Sequence, residues 1–270
     1  MKTDGSTPSV FICTMKALIL FLSFTILLLS GSLPAGNVKM VKISGGTYTP
    51  FFKLPGTPPL HLRPYLMDET AVTNRQFLDF VKANPKWQRS KVSRLFADTN
   101  YLKYWESDLV IGEKNKGLYN SPVVNISWFA AKAYAEWQGK RLPTVAEWEH
   151  AGQAPPAGGT EEKLTQYILG WYQKPNPKVL PNVRSTFKNT YGLYDMHGLV
   201  WEWTFDFNSF IKSGDSRANT EDELKLFCAS SSLYVDNKED YASFLRYSYR
   251  GSLKGNFCIA NLGFRCVKDL

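Results

Sequence analysis

The alternation of apolar and polar positions along this chain predicts short strands and helices separated by long connections. Residues 38–48 alternate apolar and polar side chains up to the Gly45-Gly46 pair, a pattern typical of a strand that runs into a turn. Residues 55–64 are rich in proline and predict an extended segment. After Asn182 the pattern predicts strands at 184–187, 199–204, 244–249 and 263–267.

Three helices are predicted from residues that cap helix N-termini. The helices follow Thr73, Ser127 and Thr144, whose side chains can accept a hydrogen bond from the first turn. Gln76 and Glu147 stand three residues after two of these caps and complete the pattern of a capping box. The sequence contains no visible repeat or domain boundary, so it predicts one α+β domain over residues 37–270.

Residues 1–36 have the parts of a secretory signal peptide. Met15-Lys16 precedes an apolar run at 17–29, and small residues follow at 30–36. A run of this length is short of the about 20 apolar residues that span a bilayer. We therefore predict a cleaved signal and a periplasmic or secreted protein, with translation starting at Met15 as an option. The alternative is an uncleaved anchor in the inner membrane, which would be the protein's only contact with a membrane.

The charge pattern argues against a nucleic-acid partner. The net charge is +8, and it becomes about +7 without the predicted signal, which holds Lys2, Asp4 and Lys16. The basic residues are scattered and form no run of five or more, as expected of a solvated surface rather than a phosphate-binding stripe.

The histidines and glycines exclude several kinds of catalytic site. His61, His150 and His197 are the only histidines and do not have the spacing of paired zinc ligands. The sequence has no Gly-x-Ser-x-Gly nucleophile elbow and no glycine-rich phosphate loop.

The cysteines leave one thiol without a partner. The predicted mature chain keeps Cys228, Cys258 and Cys266, an odd number for an exported protein. A disulfide could join Cys258 to Cys266 or to Cys228, and the spacing does not choose between them. The third thiol would be either an inert buried side chain or a reactive group.

Two carboxylates flank a glycine turn. Asp195 and Glu202 lie seven residues apart around Gly198, an arrangement in which carboxylates and backbone carbonyls can bind calcium. The alternative is that Asp195 stabilises the turn and Glu202 pairs with a lysine or arginine.

Several motifs together resemble the formylglycine-generating (sulfatase-modifying) enzyme family. They lie at 67–74, 122–128, 139–148, 191–203 and 261–266, so the resemblance covers about residues 38–268. It implies the formylglycine-generating-enzyme variant of the C-type-lectin-like fold, an α+β fold with sparse, irregular secondary structure. It also implies calcium ligands at the side chains of Asp195 and Glu202 and at the backbone carbonyls of Gly198 and Val200.

The resemblance weakens where these enzymes bind copper. They hold it through two cysteines about five residues apart; Cys228 can match the first, but Leu233 stands where the second would be. A two-cysteine copper site and the activation of sulfatases are therefore not expected. Cys228 is the candidate catalytic residue, with Arg246 and Arg250 as nearby charge donors.

The segments 83–98 and 227–254 resemble an exported subgroup of this family. That subgroup includes the accessory protein encoded beside copper nitrite reductases and the periplasmic protein that matures the pyoverdine chromophore. By this resemblance we predict an oxidoreductase-like maturation factor that uses O2 on a protein or peptide-derived substrate in the periplasm. The alternative is a non-catalytic periplasmic scaffold or binding protein that has kept the fold.

Overall fold

The strands are few and short, and they form three small sheets. The computed structural model describes Met1 and residues 38–50, 58–208 and 238–270. Pro34–Leu270 forms one compact unit. None of the helices in the described ranges is both long and apolar enough to cross a membrane. The strands are β1 (Met40–Ile43), β2 (Gly46–Tyr48), β3 (Leu60–Leu62), β4 (Tyr65–Asp68), β5 (Trp201–Glu202), β6 (Leu262–Gly263) and β7 (Val267–Asp269).

The order of the strands brings both ends of the compact unit together. Strand β4 lies between β1 and β7 and is antiparallel to both, with Met67 opposite Val41 and Val267. β2 and β3 form an antiparallel pair, and β5 and β6 form a two-residue parallel pair. The C-terminal residues therefore complete two of the three sheets.

The helices begin where the capping residues predict. They are α1 (Asn74–Ala83), α2 (Trp128–Trp137), α3 (Val145–Gly152), α4 (Glu161–Tyr172) and α5 (Lys238–Gly251), with 3-10 helices at Pro85–Trp87 and Glu113–Asn120. Thr73 and Thr144 form capping boxes with Gln76 and Glu147, and the Ser127 side chain caps α2. The three helices predicted from these caps are confirmed.

Two predicted strands were wrong, and one helix was missed. Residues 244–249, predicted as a strand, lie inside helix α5, and residues 184–187 form turns rather than a strand. Helix α4 was not predicted, although Thr160 caps it and acidic residues fill its first turn. The aromatic residues at 244–249 suggested a strand. The helix instead brings Arg246 and Arg250, which are four residues apart, to one face.

Aromatic side chains from distant parts of the sequence form the main core. Phe77 on α1 stacks on Tyr134 of α2 at 5.8 Å between ring centroids, and Phe264 packs edge-on against Tyr134 at 5.2 Å. A second apolar cluster, including Met67 and Trp148, packs the β1–β4–β7 sheet against α3. Because the core depends on large rings rather than on long strands, the fold tolerates extensive irregular backbone.

Candidate functional site

The turn before β5 is built around the Asp195 carboxylate. Asp195 lies in the left-handed region with φ +57°, which Asp adopts more readily than most residues. Its Oδ2 accepts from the backbone N–H of Arg184, and its Oδ1 accepts from the backbone N–H and the hydroxyl of Thr186 at 2.8 and 2.9 Å. Asp195 therefore holds this turn in place, whatever else it binds.

The second carboxylate of the turn forms a buried ion pair. The Nε of Arg265 donates to both oxygens of Glu202 at 3.1 and 2.8 Å, its Nη2 donates at 2.9 Å, and the indole N–H of Trp148 donates at 2.7 Å. Both side chains of the pair are completely buried. The remaining N–H groups of Arg265 reach carbonyl oxygens, including those of Asp68 and Tyr194. The arginine pairing predicted as the alternative for Glu202 is present.

These contacts bear on the predicted calcium ligands. A carboxylate offers about four lone-pair directions. Glu202 receives four donor contacts from Arg265 and Trp148, so it does not fit a calcium role without giving one of them up. Asp195 receives three contacts and keeps one direction. Gly198, with φ +97°, and Val200 contribute oxygens of the right kind through their carbonyls. Calcium stays a prediction for this turn.

Replacing Asp195 measures how much the turn depends on its carboxylate. We expect Asp195→Ala to lower the free energy of unfolding by about 2–4 kcal/mol, because three hydrogen bonds are lost and alanine is strained at positive φ. Asp195→Asn, which tolerates that φ and keeps one oxygen, should cost about 1–2 kcal/mol. Urea unfolding measures both values. Repeating it with added calcium tests the metal, since a calcium-dependent gain should occur in the wild type and disappear in Asp195→Ala.

A second buried ionic cluster joins three helices. Glu149 on α3 accepts from Arg246 Nε at 3.0 and 2.9 Å and also pairs with Arg250, both on α5. Arg246 reaches the Tyr172 hydroxyl on α4, and the Arg250 guanidinium stacks over the Trp148 ring. Burial alone would raise the pKa of Glu149, but the two guanidinium groups outweigh it and hold that pKa at about 2. The two arginines expected to serve Cys228 are thus paired with Glu149.

His197 is the buried histidine of this region. It is 1% exposed, and its Nε2 lies 2.9 Å from the carbonyl oxygen of Gly152, so Nε2 carries the hydrogen. Burial, together with the nearby Arg246 charge, lowers the pKa of His197 to about 3. Nδ1 is then an acceptor, and it has no hydrogen-bond partner among the described residues.

The two described cysteines are sealed in the core. Cys258 and Cys266 are buried and free, so neither of the two disulfides considered for Cys258 is formed. Burial raises the pKa of both thiols well above the ordinary value, with Asp98 adding to the effect at Cys258 and Asp68 at Cys266.

The candidate catalytic thiol, Cys228, lies outside the described residues, as does Leu233. In the described ranges no group of three or more His, Cys, Asp and Glu side chains could hold a metal ion. Cys258 and Cys266 are both buried with raised thiol pKa values, so neither is available to complete a two-cysteine site with Cys228.

Sequence reasoning missed the partners of the buried charges. Glu202 and Arg265 were each part of a quoted motif, yet they are separated by 63 residues and nothing local links them. Glu149 follows the Thr144 cap on a helix where a buried acid was not expected. The available signal was the presence of Arg246 and Arg250 on one helical face, because two arginines so placed need a carboxylate when buried.

Fold and site together define a small α+β domain with little regular structure, held together by buried arginine–carboxylate pairs. Residues 29–270 match the model of the sulfatase-modifying factor enzyme 1-like domain. The chain is 31% identical to a formylglycine-generating enzyme of Streptomyces coelicolor, in an alignment that covers 88% of each protein. It therefore belongs to the sulfatase-modifying factor (formylglycine-generating enzyme) family, and the predicted family and fold class are confirmed.

Other similar proteins differ in what their names imply. The bovine protein named inactive C-alpha-formylglycine-generating enzyme 2 is 29% identical, over 89% of this chain and 92% of its own length. The structure of PvdO from Pseudomonas aeruginosa superposes with a TM-score of 0.47 at 18% identity, over 86% of this chain and 94% of that one. The family thus includes a member named as inactive, and membership alone does not establish catalysis.

Proposed function

We propose that this protein is an exported oxidative maturation factor for a periplasmic protein or peptide-derived product, and that it does not activate sulfatases. The observation that carries this proposal is the burial of Cys258 and Cys266, each free and with a raised thiol pKa. With these two thiols sealed, Cys228 is the only thiol of the predicted mature chain left for chemistry. A lone thiol cannot form the two-cysteine copper site on which formylglycine formation depends in this family.

The reaction that fits is a two-electron oxidation. The substrate loses two electrons and two protons, and O2 takes them up to become hydrogen peroxide, so the step balances without another reductant. Cys228 would act as the reactive thiol or as a ligand to a redox metal. Export is supported by the signal-like pattern of residues 15–36.

A scaffold without catalysis is the second candidate. The bovine relative named as inactive shares the family at similar identity. The lack of a second available thiol favours the scaffold as much as it favours the maturation factor. The test must therefore separate a reaction that requires Cys228 from a function that does not.

The decisive experiment compares single cysteine variants in the producing cell. A strain lacking this protein is complemented with the wild type, Cys228→Ala or Cys258→Ala, and its exported proteins and peptides are examined by mass spectrometry. We expect the wild type and Cys258→Ala to restore a product lighter by two hydrogen atoms, and Cys228→Ala to leave the unoxidised form, because Cys258 and Cys266 are buried with raised thiol pKa values.

Two results would count against the proposal. Full activity of Cys228→Ala would remove the thiol from the mechanism, and a phenotype restored by that variant without any oxidised product would favour the scaffold. Separately, the purified protein should not convert the cysteine of a sulfatase peptide to an aldehyde, and conversion would show that it is a sulfatase activator.

A further inference from the structure

A partly open cavity lies between helices α4 and α5 and the end of α3. Its volume is 220 Å³, larger than the roughly 150 Å³ of an engineered protein cavity that binds benzene. Its inner wall is buried, apart from the half-buried Ser243, and carries polar groups, whereas its rim is exposed. The wall consists of Gly152, Leu164, Thr165, Ile168, His197, Ala242, Ser243 and Arg246, and the rim of Gln153 and Glu161.

Arg246 on the cavity wall belongs to a buried ionic cluster with more positive than negative charge. Arg246 and Arg250 are each 4% exposed, and Glu149, which is 2% exposed, is the carboxylate that both of them share. The cluster therefore carries a net charge of +1. Among the described residues no second carboxylate pairs with Arg246, and Glu161 at the rim is exposed to water. A buried net charge is unfavourable unless it has a counterion.

Arg246 presents donors on the cavity wall. Its Nη2 donates to the Ser243 hydroxyl at 3.0 Å, and Ser243 is itself a wall residue. Its Nη1 has two hydrogens, and its one hydrogen-bond partner among the described residues is the Tyr172 hydroxyl at 3.4 Å, a long contact. A guanidinium with a spare donor favours an oxygen anion, above all a carboxylate.

His197, which lines the cavity, has a buried acceptor without a donor. His197 Nδ1 is buried and has no partner in the described part of the chain, while Nε2 is occupied by the carbonyl of Gly152. Leaving such a nitrogen unsatisfied costs about 1–3 kcal/mol. A ligand with an N–H or O–H group would satisfy it.

We propose that this cavity binds a small molecule that joins a carboxylate to a hydrogen-bond donor, of the N-acylated amino acid class. The carboxylate would lie against Arg246 and balance the cluster charge, and the amide N–H of the ligand would donate to His197 Nδ1. A monoanion suits the net charge of +1, whereas a phosphate, with about −1.5 to −2 at neutral pH, would exceed it. This binding does not depend on the proposed oxidation.

The test uses N-acetylglycine as the probe and N-acetylglycinamide as its neutral control. Calorimetric titration of the purified protein should give binding of N-acetylglycine, and binding of the amide should be weaker by at least about tenfold, since it lacks the charge-assisted contact. Nitrogen NMR of labelled histidine gives a direct second readout. The His197 Nδ1 resonance, assigned as the one lost in His197→Gln, should move when N-acetylglycine binds.

Variants on α5 locate the site. Ala242 is buried on the cavity wall. The larger side chain of Ala242→Leu should fill part of the cavity and weaken binding of N-acetylglycine by at least about tenfold. Tyr241→Leu changes the neighbouring exposed side chain, which is not a wall residue, and should bind normally. Cys228→Ala should also bind normally, which separates this site from the proposed reaction.

The proposal is overturned by any of three results in the wild-type protein: no binding of N-acetylglycine, equal binding of its amide, or an unmoved Nδ1 resonance. Either of the first two results would mean that the carboxylate of the ligand does not contribute to binding. The third would mean that water or another group already satisfies His197. Because these measurements use the unaltered protein, they decide the question even if Ala242→Leu does not fold.

Discussion

Arg265→Met is expected to lower the free energy of unfolding by about 3–5 kcal/mol. Among the described residues, the substitution leaves the buried Glu202 carboxylate with only the Trp148 indole as a donor. An unpaired buried charge is among the most destabilising changes that a core can undergo. Chemical denaturation monitored by tryptophan fluorescence measures the loss. Trp148, which donates to the same carboxylate, is one of the residues whose fluorescence reports unfolding.

Two comparisons isolate the buried charge. The double variant Arg265→Met with Glu202→Leu should recover much of the lost stability, because no charge remains to be desolvated. Lys132→Met breaks an exposed ion pair with Glu136 and should change stability by less than about 0.5 kcal/mol. A loss in Arg265→Met no larger than in Lys132→Met would mean that the Glu202 pair does not stabilise the fold.

His197 is expected to make the protein sensitive to mild acid. Its pKa in the folded protein is about 3, below the ordinary value of 6.5, because burial and the Arg246 and Arg250 charges disfavour the imidazolium, although Glu149 opposes them. The unfolded chain therefore takes up a proton near pH 6.5 that the folded protein refuses until about pH 3. Stability is fully present above 6.5 and falls with decreasing pH by up to about 1.4 kcal/mol per pH unit.

The window from pH 6.5 to 4.5 isolates this effect. Glu149, with its pKa lowered to about 2, contributes stability that is lost only below about 4.5. We expect the free energy of unfolding of the wild type to fall by about 2–3 kcal/mol across this window. In His197→Gln, whose side chain does not titrate, the fall should be smaller by the same amount. His61→Gln changes an exposed histidine and serves as the control. If His197→Gln keeps the wild-type slope, the acid sensitivity lies elsewhere.

The sequence predicted those parts of the fold that depend on neighbouring residues. Helices α1, α2 and α3 begin at Thr73, Ser127 and Thr144, and each cap is a contact between residues at most three apart. Helix α5 was mistaken for a strand because its aromatic residues resemble one locally. Its helical state agrees with two ion pairs to Glu149, about 100 residues earlier in the chain.

The candidate site was predictable only in part for the same reason. Asp195 and Glu202 were found as a pair of carboxylates around a glycine turn, but which groups would donate to them was not visible. Arg265, Trp148 and the cavity beside His197 come together only when helices and strands from the whole chain are packed. Contacts of this range carry no local pattern, so resemblance to a family could place the residues but not their partners.

The position of β6 and β7 has a consequence for the order of folding. Strand β7 pairs with β4, β6 pairs with β5, and Arg265 lies between the two strands. A chain that lacks residues 262–270 has Glu202 without its arginine, and β4 without one neighbour. The core can therefore close only after these residues have joined it, and contacts so distant in sequence are slow to form. Deleting residues 262–270 should therefore damage the fold far more than the length of the deleted segment suggests.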